Sequence, residues 1–594
     1  MSEKVLMSGN EAVARGAYEA GVHVATAYPG TPSTEILENV VKYKDDIYCE
    51  WAPNEKVAVE VGQGASFGGA RSLTAMKHVG VNVAADPLFS FAYTGVNGGY
   101  VLVTADDSGM HSSQNEQDNR RYAEFMKIPV VEPTDSQEAK ELVAFGLELS
   151  EKFNTPVMLR MSTRLCHSMG LVEIGPRSEY PVKEYVTDFK QRVVIPAHAR
   201  VLHVELEERL KRIKEFAETA PVNKIIEGHW VYNGQKIGII SSGISYQYAR
   251  EAFPKASFLK LGMSFPFPIE LARKFSETVD QLWIVEENEP FIETHLKTAG
   301  IECIGKEKVS LTDELSQRRV KVSLTGEKPE KKADVSDLPP RPPVLCPGCP
   351  HRGIFYAAHK MGFTTTTDIG CYTLGMMPPL LCGETCICMG ASIGNAFGME
   401  KAQGKDFGKN TIAFIGDSTF VHSGMTGLAD VAYNKGNITV CVLDNSITAM
   451  TGHQEHPGTG TTLMGEKSKK LDYLKLADAV GVEHVFETDA YDIEEITETL
   501  KKVKELDGPK LVVNKGRCIL MDIKKMKIKP FRVDPEKCIA CGQCFKLGCP
   551  AINTGEVAKN GKKKARINPI FCVGEACALC YQVCPTGAIQ QPEE

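Results

Sequence analysis

The stretch TIAFIGDSTFVHSGMTGLADVAYNKGNITVCVLDN (411–445) decides the fold of the chain. An apolar run, TIAFIG, ends at Gly416, Asp417 and Ser418, and a helical stretch separates it from a second apolar run, ITVCVLD, which precedes Asn445. This order predicts a βαβ unit in a parallel sheet. Neighbouring strands of such a sheet end about 5 Å apart, at the edge where ligands bind.

The two strand ends carry Asp417 and Asn445, so we expect these side chains to converge. A carboxylate, an amide oxygen and a backbone carbonyl suit octahedral Mg²⁺, which usually shares its site with phosphate oxygens. A short Gly-Asp followed by a distant Asn is also compatible with an ordinary βα loop that caps a helix. From this stretch alone, both interpretations remain open.

The rest of the chain repeats the alternation of strands and helices. At 594 residues it is too long for one core, so we expect roughly three to five domains. The predicted fold class is multidomain α/β, with doubly wound parallel sheets and a small cysteine-rich domain at the C-terminus. The expected segments are an α/β domain over 1–185, a peripheral helical segment over 186–235, a second α/β domain over 236–310, a linker over 311–343, a third α/β domain over 344–528 and the cysteine-rich domain over 529–594.

Composition and charge exclude several classes of function. The chain is 43% hydrophobic and 24% charged, with a net charge of −7, which does not favour nucleic-acid binding. The N-terminus has no apolar core of a signal peptide, and the long uncharged run at 87–105 contains Pro, Asn and three Gly, so we expect no membrane span. Nineteen cysteines without a secretory signal favour a reducing, cytoplasmic location and metal binding rather than disulfides.

Eight of the cysteines form two runs near the C-terminus, each closed by Cys-Pro. This pattern is typical of bacterial-type ferredoxins with two [4Fe–4S] clusters, in which the fourth ligand of each run binds the other cluster. Structural zinc is the alternative, but zinc favours pairs of cysteines rather than triplets. We therefore predict two clusters that carry single electrons. Cluster site 1 comprises Cys538, Cys541, Cys544 and Cys584, and cluster site 2 comprises Cys549, Cys572, Cys577 and Cys580.

Four further stretches resemble the 2-oxoacid:ferredoxin oxidoreductases. They are DNSITAMTGHQ (444–454), CICMGASIGNAFG (386–398), AYPGTPST (27–34) and CPGCPHRG (346–353). The resemblance implies thiamine diphosphate in the Gly416–Asp417–Ser418 loop, with Mg²⁺ bound by Asp417, Asn445 and the backbone carbonyl of Ile447. Ser418 departs from the family's usual glycine.

The same resemblance assigns roles in the N-terminal block. Glu55 is implied as the carboxyl group that faces the coenzyme's aminopyrimidine, with Glu50 and Glu60 as rivals. Thr31 is implied as a contact of the 2-oxoacid. Lys77 and His78 are candidates for substrate contact, although a helix-end position explains either equally well. Arg120 and Arg121 are weaker candidates for clamping the substrate carboxylate.

A third [4Fe–4S] cluster is implied by four scattered cysteines that resemble the family's ligands nearest the thiamine: Cys346, Cys349, Cys371 and Cys518. Reduced structural thiols are the alternative. The remaining cysteines of this region are interpreted as packing residues; they are Cys382, Cys386, Cys388 and Cys441.

Within the family, the resemblance is closest to alpha subunits of the indolepyruvate branch. It implies CoA-dependent oxidative decarboxylation of aryl pyruvates, such as indolepyruvate and phenylpyruvate, with electrons passed to ferredoxin. It also implies a smaller beta subunit of about 200 residues in an α2β2-like assembly, and an anaerobic enzyme. The alternatives are another 2-oxoacid specificity, for pyruvate or a branched-chain substrate, and a non-catalytic electron-transfer subunit.

Overall fold

A computed structural model describes residues 3–328 and 334–591 of the chain. They form two compact units, the first comprising residues 3–328 with Leu463–Gly465 and the second comprising the remaining described residues. Within the described ranges, no helix is both long and apolar enough to cross a membrane.

The first unit contains fourteen strands among its described residues. They are β1 (Glu3–Ser8), β2 (Val24–Ala27), β3 (Tyr48–Trp51), β4 (Ser72–Lys77), β5 (Tyr100–Asp106), β6 (Val130–Val131), β7 (Val157–Ser162), β8 (Met169–Ile174), β9 (Lys224–Ile226), β10 (Val231–Tyr232), β11 (Gln235–Ser242), β12 (Ser257–Leu261), β13 (Met263–Phe265) and β14 (Gln281–Val285).

Thirteen α-helices accompany these strands in the described part of the first unit. They are α1 (Gly9–Glu19), α2 (Thr34–Val40), α3 (Glu55–Phe67), α4 (His78–Thr94), α5 (Asn119–Met126), α6 (Ser136–Phe153), α7 (Thr163–His167), α8 (Phe189–Arg192), α9 (Pro196–Ala217), α10 (Gly243–Ala252), α11 (Ile269–Ser276), α12 (Phe291–Thr298) and α13 (Gln317–Thr325).

The main sheet of the first unit has seven strands in the order β13-β6-β7-β5-β4-β2-β3. All neighbouring pairs are parallel except β13 with β6. Strands β5 and β7 are buried along their whole length, as expected for a parallel sheet covered by helices on both faces. The parallel arrangement brings the carboxyl ends of β2, β4, β5 and β7 to one edge, where the candidate residues of this unit lie.

The second sheet of the first unit begins earlier than the sequence predicted. Strands β9 and β10 lie before residue 236, and β11 pairs with both β12 and β14. Beyond residue 310, helix α13 packs against α10, so part of the expected linker belongs to this unit. Residues 329–333 of that linker lie outside the described residues.

The segment expected to be peripheral is anchored by helix α9. One stripe of the helix is buried, including Leu202, Leu206 and Ile213, and the helix packs against α4. Buried Arg209 donates hydrogen bonds to the backbone carbonyls of Ala92 and Asn154. Apart from Arg209, the charged residues of this segment therefore lie mainly on the exposed face of α9.

The second unit contains nine strands and nine α-helices among its described residues. The strands are β15 (Thr364–Thr366), β16 (Thr411–Gly416), β17 (Thr439–Asp444), β18 (His484–Asp489), β19 (Lys510–Lys515), β20 (Arg532–Val533), β21 (Ile552–Val557), β22 (Lys563–Ile567) and β23 (Ile589–Gln590). The helices are α14 (His351–Lys360), α15 (Ala391–Gln403), α16 (Lys405–Lys409), α17 (Asp417–Thr419), α18 (Met425–Tyr433), α19 (Tyr473–Ala479), α20 (Ile493–Glu505), α21 (Ile519–Asp522) and α22 (Leu579–Gln582).

Five of these strands form a parallel sheet in the order β15-β16-β17-β19-β18. The βαβ unit predicted from residues 411–445 is present, with β16 and β17 as neighbours. The cysteine-rich C-terminal region adds two small antiparallel ladders, β20 with β23 and β21 with β22, over a core that includes Phe531, Ile567 and Ile589. The predicted multidomain α/β class is confirmed.

Candidate functional site

The carboxyl edge of the five-stranded sheet brings the predicted coenzyme residues together. Gly416 pairs with Leu443, so Asp417 and Asp444 leave adjacent strands side by side, and Asn445 follows directly. Asp417 is 2% exposed and Asn445 is 7% exposed. The fold therefore places a buried carboxylate and a buried amide at the point that the sequence indicated.

The Asp417 carboxylate has an unused oxygen. Its Oδ1 accepts a hydrogen bond from the backbone N–H of Ser418 (2.8 Å), whereas Oδ2 accepts none from any described group. The Nε2 atom of His456 lies 3.3 Å from Oδ2 and also makes no hydrogen bond. Burial, reinforced by the nearby charge of Asp417, raises the pKa of Asp444 to about 6. Such a concentration of buried oxygen ligands fits a divalent cation.

The loop after Asn445 is held in a fixed shape. The backbone N–H of Ile447 donates to Asn445 Oδ1 at 3.1 Å. The hydroxyl of Thr448 donates to the Ser418 hydroxyl at 2.9 Å. Ser418, the residue that departs from the family's glycine, is thus a buried partner within the loop, and its side chain is accommodated there.

His351 lies beside this edge, although no local sequence pattern indicates it. Its Nε2 is 3.4 Å from the Nδ2 of Asn445, and its ring meets Tyr372 edge to face. Burial lowers the pKa of His351 to about 4, against a smaller opposing effect of the Asp417 charge. His351 is therefore a neutral imidazole at neutral pH, able to accept one hydrogen bond and donate another.

The glycine-bearing helix α15 is tied to the same edge through Asp368. One oxygen of Asp368 accepts hydrogen bonds from the Gly390 N–H (3.1 Å) and the Ser392 hydroxyl (2.7 Å). Gly390 has φ +83° and a Cβ there would lie 2.6 Å from the Cβ of Ser423, so only glycine fits. Burial raises the pKa of Asp368 to about 6.

The four scattered cysteines are brought close to one another in the second unit. The pKa of Cys371 is raised to about 11. Burial is the largest cause, and the neighbouring Cys518 and Cys346 thiols contribute to the same shift. Burial likewise raises the pKa of Cys349 to about 12, with Cys371 and Cys346 adding to the effect. The backbone N–H of Cys518 donates to the Asn445 carbonyl at 3.0 Å, which attaches this group to the coenzyme edge.

The two cluster sites of the C-terminal region each surround a cavity. The site 1 cysteines line a space of about 370 Å³, and the site 2 cysteines line one of about 320 Å³, both partly open to solvent. In each site the fourth cysteine comes from the other sequence run, as the ferredoxin pattern predicted. Pro347 and Gly348 also line site 2, so this site adjoins the loop that carries Cys346 and Cys349.

The chemistry of these thiols fits iron–sulfur clusters. Burial, with help from Cys541 and Cys538, raises the pKa of Cys544 to about 11. A thiol of this kind loses its proton when a metal binds, because the metal stabilises the thiolate. In the described ranges, no three His, Cys, Asp or Glu side chains close around a single metal ion. Since each thiolate of a four-iron cluster binds a different iron, cluster ligands need not share one centre.

In the first unit, Glu55 opens helix α3 and is 4% exposed. A Cβ at Gly80 would lie 2.8 Å from Glu55 Cγ, so the carboxyl group passes directly over this glycine of helix α4. The rivals are different: Glu60 is exposed and paired with Lys56, and Glu50 accepts from Tyr48 at the surface. Burial and close packing single out Glu55.

Lys77 and the loop with Thr31 meet at the edge of the seven-stranded sheet. The Lys77 ammonium group donates to the Ser112 carbonyl at 3.1 Å, and the Ser112 hydroxyl donates to the Thr31 carbonyl at 3.2 Å. Burial lowers the pKa of Lys77, while the charges of Asp107 and Glu55 oppose this shift. The Lys77 ammonium group is thus close enough to the Glu55 carboxylate for the two charges to interact.

Two other candidates are engaged in the interior. His78 is fully buried, with Nε2 3.1 Å from the Asn115 carbonyl oxygen. Arg120 is 1% exposed and forms ion pairs with Asp118 (2.5 Å) and Glu286 (3.0 Å). These contacts engage the Arg120 guanidinium group with carboxylates of the chain itself, which does not favour the clamping role; that role stays a prediction. Arg121, by contrast, is half-exposed and pairs with Glu124.

Three family models match the chain in the order of its units. The thiamine diphosphate-binding domain of pyruvate flavodoxin/ferredoxin oxidoreductases matches residues 15–205. The C-terminal thiamine pyrophosphate-binding domain of thiamine pyrophosphate enzymes matches 368–513. A 4Fe–4S dicluster domain matches 531–585. The chain therefore carries thiamine-binding and two-cluster domains.

Curated relatives match over nearly the whole length. The indolepyruvate oxidoreductase subunit IorA of Archaeoglobus fulgidus is 41% identical, covering 99% of this chain and 97% of that protein. The subunit of the same name from Pyrococcus horikoshii is 41% identical, covering 100% and 97%. A solved 2-oxoglutarate:ferredoxin oxidoreductase from Magnetococcus marinus covers 55% of this chain and 65% of its own, at 17% identity and a TM-score of 0.45, too distant to support an argument. The chain belongs to the IorA family of indolepyruvate oxidoreductase subunits, which are 2-oxoacid oxidoreductases.

Proposed function

We propose that the chain catalyses the CoA-dependent oxidative decarboxylation of aryl pyruvates, such as indolepyruvate and phenylpyruvate, to aryl-acetyl-CoA and CO2. The electrons pass through its clusters to ferredoxin. The observation that carries the proposal is the arrangement within the second unit. The Asp417–Asn445 edge adjoins the scattered cysteine group, and that group adjoins cluster site 2. A decarboxylase that did not oxidise its substrate would not need such a series of cysteine sites.

The Asp417 edge is proposed to hold Mg²⁺ and a diphosphate. Asp417 Oδ2, Asn445 Oδ1 and the carbonyl of Ile447 are the proposed protein ligands, with Gly416 and Ser418 forming the loop around them. The Oδ2 atom supports this assignment, since it is buried and accepts no hydrogen bond, and its one close polar neighbour is His456 Nε2 at 3.3 Å. His456 and His351 border the same edge and would orient groups there by hydrogen bonding.

Thiamine diphosphate, when bound, supplies a carbon nucleophile and a place to store the electrons released on decarboxylation. Glu55 is proposed to hold a proton against a ring nitrogen of the coenzyme. Its burial and its close packing over Gly80 support this role, because they hold the carboxyl group in one position. Lys77 and the Thr31 loop are proposed to bind the 2-oxoacid, with the Lys77 ammonium group offering a charge to its carboxylate. His78 is proposed only to support this loop from the interior.

The scattered group of Cys346, Cys349, Cys371 and Cys518 is proposed to hold a third [4Fe–4S] cluster. The mutual proximity of these thiols and their attachment to Asn445 support it. The curated relatives are named as subunits, which implies a partner subunit for this chain. We propose that the partner is the smaller beta subunit, in an α2β2-like complex.

Comparison of substrates tests the proposed specificity. The chain, co-purified anaerobically with its partner subunit, would be assayed with CoA and a viologen acceptor on indolepyruvate, phenylpyruvate and pyruvate. We expect the two aryl substrates to have the higher kcat/KM. A preference for pyruvate or a branched-chain oxoacid would overturn the specificity, whereas the absence of turnover on every 2-oxoacid would overturn the catalytic role.

A further inference from the structure

The C-terminal region is basic, although the chain as a whole is acidic. Residues 524–594 contain twelve Lys and Arg residues against six Asp and Glu residues, whereas the whole chain contains 68 against 75. Such an asymmetry indicates a surface that attracts acidic partners. Five of the twelve basic residues lie on the hairpin of β21 and β22, which carries one acidic residue, Glu556.

The tip of this hairpin is fastened to the loop of cluster site 1. The Asn560 side chain donates to the Ile539 carbonyl at 3.3 Å, and Lys564 donates to the Pro535 carbonyl at 2.6 Å. The neighbouring side chains of Lys559, Lys562 and Lys563 are exposed. No carboxylate of the described chain pairs with these three lysines. They add exposed positive charge to the hairpin that is attached to the site 1 loop.

The same loop is where a cluster site opens to the surface. Cys541 is exposed, and Ile539 beside it is 55% exposed. Cluster site 2 is lined instead by Pro347 and Gly348 from the body of the second unit. Because site 2 adjoins the scattered cysteine group, site 1 is the end of the series, and an external electron acceptor would approach it there.

We propose that Lys559, Lys562 and Lys563 of the hairpin, with Ile539 and Lys537 of the loop it contacts, form a docking face for a small acidic electron-carrier protein; Lys537 also lies 3.9 Å from Asp534. This inference rests on the proposed function, which requires an electron acceptor. The exposed apolar side chain supplies the centre of the contact, and the lysines supply a charged rim that steers an acidic partner. The occupant is thus identified by its negative surface and its one-electron redox centre.

Charge reversal on the hairpin tests the docking face. The triple variant Lys559→Glu/Lys562→Glu/Lys563→Glu would be compared, in the complex, with the matched control Lys405→Glu/Lys469→Glu/Lys502→Glu. The control changes the same charge at exposed lysines elsewhere in the second unit. Two acceptors would be used, an acidic two-cluster ferredoxin and a small viologen dye.

At low ionic strength, we expect the hairpin variant to reduce the ferredoxin at least tenfold more slowly, in line with the usual range of electrostatic steering. Its reduction of the dye should be unchanged, and its dependence on salt should flatten. Wild-type ferredoxin kinetics in the hairpin variant, or an equal loss in the control, would overturn the docking face. Failure of the wild-type complex to reduce even the dye would contradict the proposed function instead.

An independent observation concerns Arg352, which is 1% exposed. Its guanidinium group donates to three backbone carbonyls, those of Leu547 (2.6 Å), Leu345 (2.9 Å) and Cys346 (3.0 Å). Across residues 3–328 and 334–591, no carboxylate pairs with it. A buried charge without a counter-charge is strongly unfavourable, so an anion is expected close by.

Two cysteine groups flank this cation. Arg352 interacts electrostatically with the thiol of Cys349, from the scattered group, and with that of Cys577, from cluster site 2. Its hydrogen bonds to Leu345 and Leu547 span the same two regions. Arg352 therefore lies where two anionic iron–sulfur clusters would repel each other.

The geometry points to Arg352 as the shared counter-charge that makes both of these sites easier to reduce. A positive charge favours the state with the extra electron, and a unit charge about 10 Å from such a centre, at an effective dielectric constant of about 20, changes the equilibrium on the order of tenfold. Arg352 would act on the clusters through charge alone, as a positioning residue rather than a catalytic one.

Neutralisation with a conservative rescue tests this assignment. Arg352→Gln removes the charge but keeps hydrogen-bond donors, and Arg352→Lys keeps the charge. Anaerobic redox titration followed by electron paramagnetic resonance would report the reduced fraction of each cluster, beside iron quantitation. We expect the Gln variant to lower the ratio of reduced to oxidised cluster at a fixed potential about tenfold, and the Lys variant to stay near wild type.

Full iron content with no change in the titration of the Gln variant would overturn the assignment, as would equal shifts in both variants. If the Gln variant loses iron, the Lys variant must retain it; iron loss from both would show a role in packing and overturn the inference.

Discussion

Substitution of Gly80 by alanine is the sharpest test of the role proposed for Glu55. The added Cβ would lie 2.8 Å from Glu55 Cγ, 2.9 Å from Glu55 Oε1 and 3.0 Å from Met76 Cβ. Carbon atoms pack best at about 3.5–4.0 Å, so the Glu55 side chain must move by roughly 1 Å. Displacement of a catalytic group by about 1 Å costs about 100-fold in rate.

We therefore expect the Gly80→Ala complex to lose about 100-fold in kcat/KM. The assay is anaerobic reduction of a viologen dye by indolepyruvate with CoA and saturating thiamine diphosphate. Overpacking of this kind costs about 1–3 kcal/mol, so circular dichroism should show a folded protein with a modestly lower melting temperature. A fold that survives while catalysis is lost would locate the effect at Glu55.

The matched control is Gly64→Ala in helix α3, which begins with Glu55. A Cβ at Gly64 meets nothing within 4 Å, and alanine favours helix over glycine by about 1 kcal/mol. This variant should keep wild-type activity and stability, or gain slightly in stability. Wild-type kcat/KM in a well-folded Gly80→Ala complex would refute the reasoning, because Glu55 would then tolerate displacement.

The remaining predictions concern the other groups of the two units. Glu55→Gln should lower kcat about 100- to 10,000-fold while thiamine diphosphate still binds by calorimetry; unchanged kcat would remove Glu55 from the mechanism. Asp417→Asn, or treatment with EDTA, should release the coenzyme, and added Mg²⁺ should restore binding only in the wild type; Mg²⁺-independent binding would contradict the metal site. Cys371→Ser should lower the iron content by one cluster while the two C-terminal clusters keep their spectra, and wild-type iron content would argue for structural thiols. Arg120→Ala should destabilise the first unit by about 3–5 kcal/mol, because Asp118 and Glu286 would be left as buried charges; an unchanged melting temperature would contradict this.

Elements that have a local sequence pattern, such as an apolar run or a fixed cysteine spacing, were predictable from the sequence. The apolar runs that became β16 and β17 have clear ends, so the convergence of Asp417 and Asn445 followed from the geometry of parallel strands. The cysteine triplets likewise predicted the two-cluster region, because a tight loop sets their spacing.

Other features depend on packing between distant segments. His351 reaches Asn445 across 94 positions of sequence, and Arg352 reaches Leu547 across 195, so no local pattern could indicate them. The second sheet of the first unit begins with β9 and β10, of three and two residues, which are too short to show alternation. The ion pair between Arg120 and Glu286 also joins residues far apart in the chain, so the sequence did not indicate that Arg120 is engaged within the protein.

Reduction of the clusters by substrate, without any added acceptor, tests the central claim most directly. The anaerobic complex would be mixed with indolepyruvate and CoA, and the clusters followed by their visible absorbance and by electron paramagnetic resonance. We predict reduction that requires thiamine diphosphate and is absent in Asp417→Asn. Clusters that dithionite reduces but that no 2-oxoacid reduces, in a complex shown to contain the coenzyme, would contradict the account.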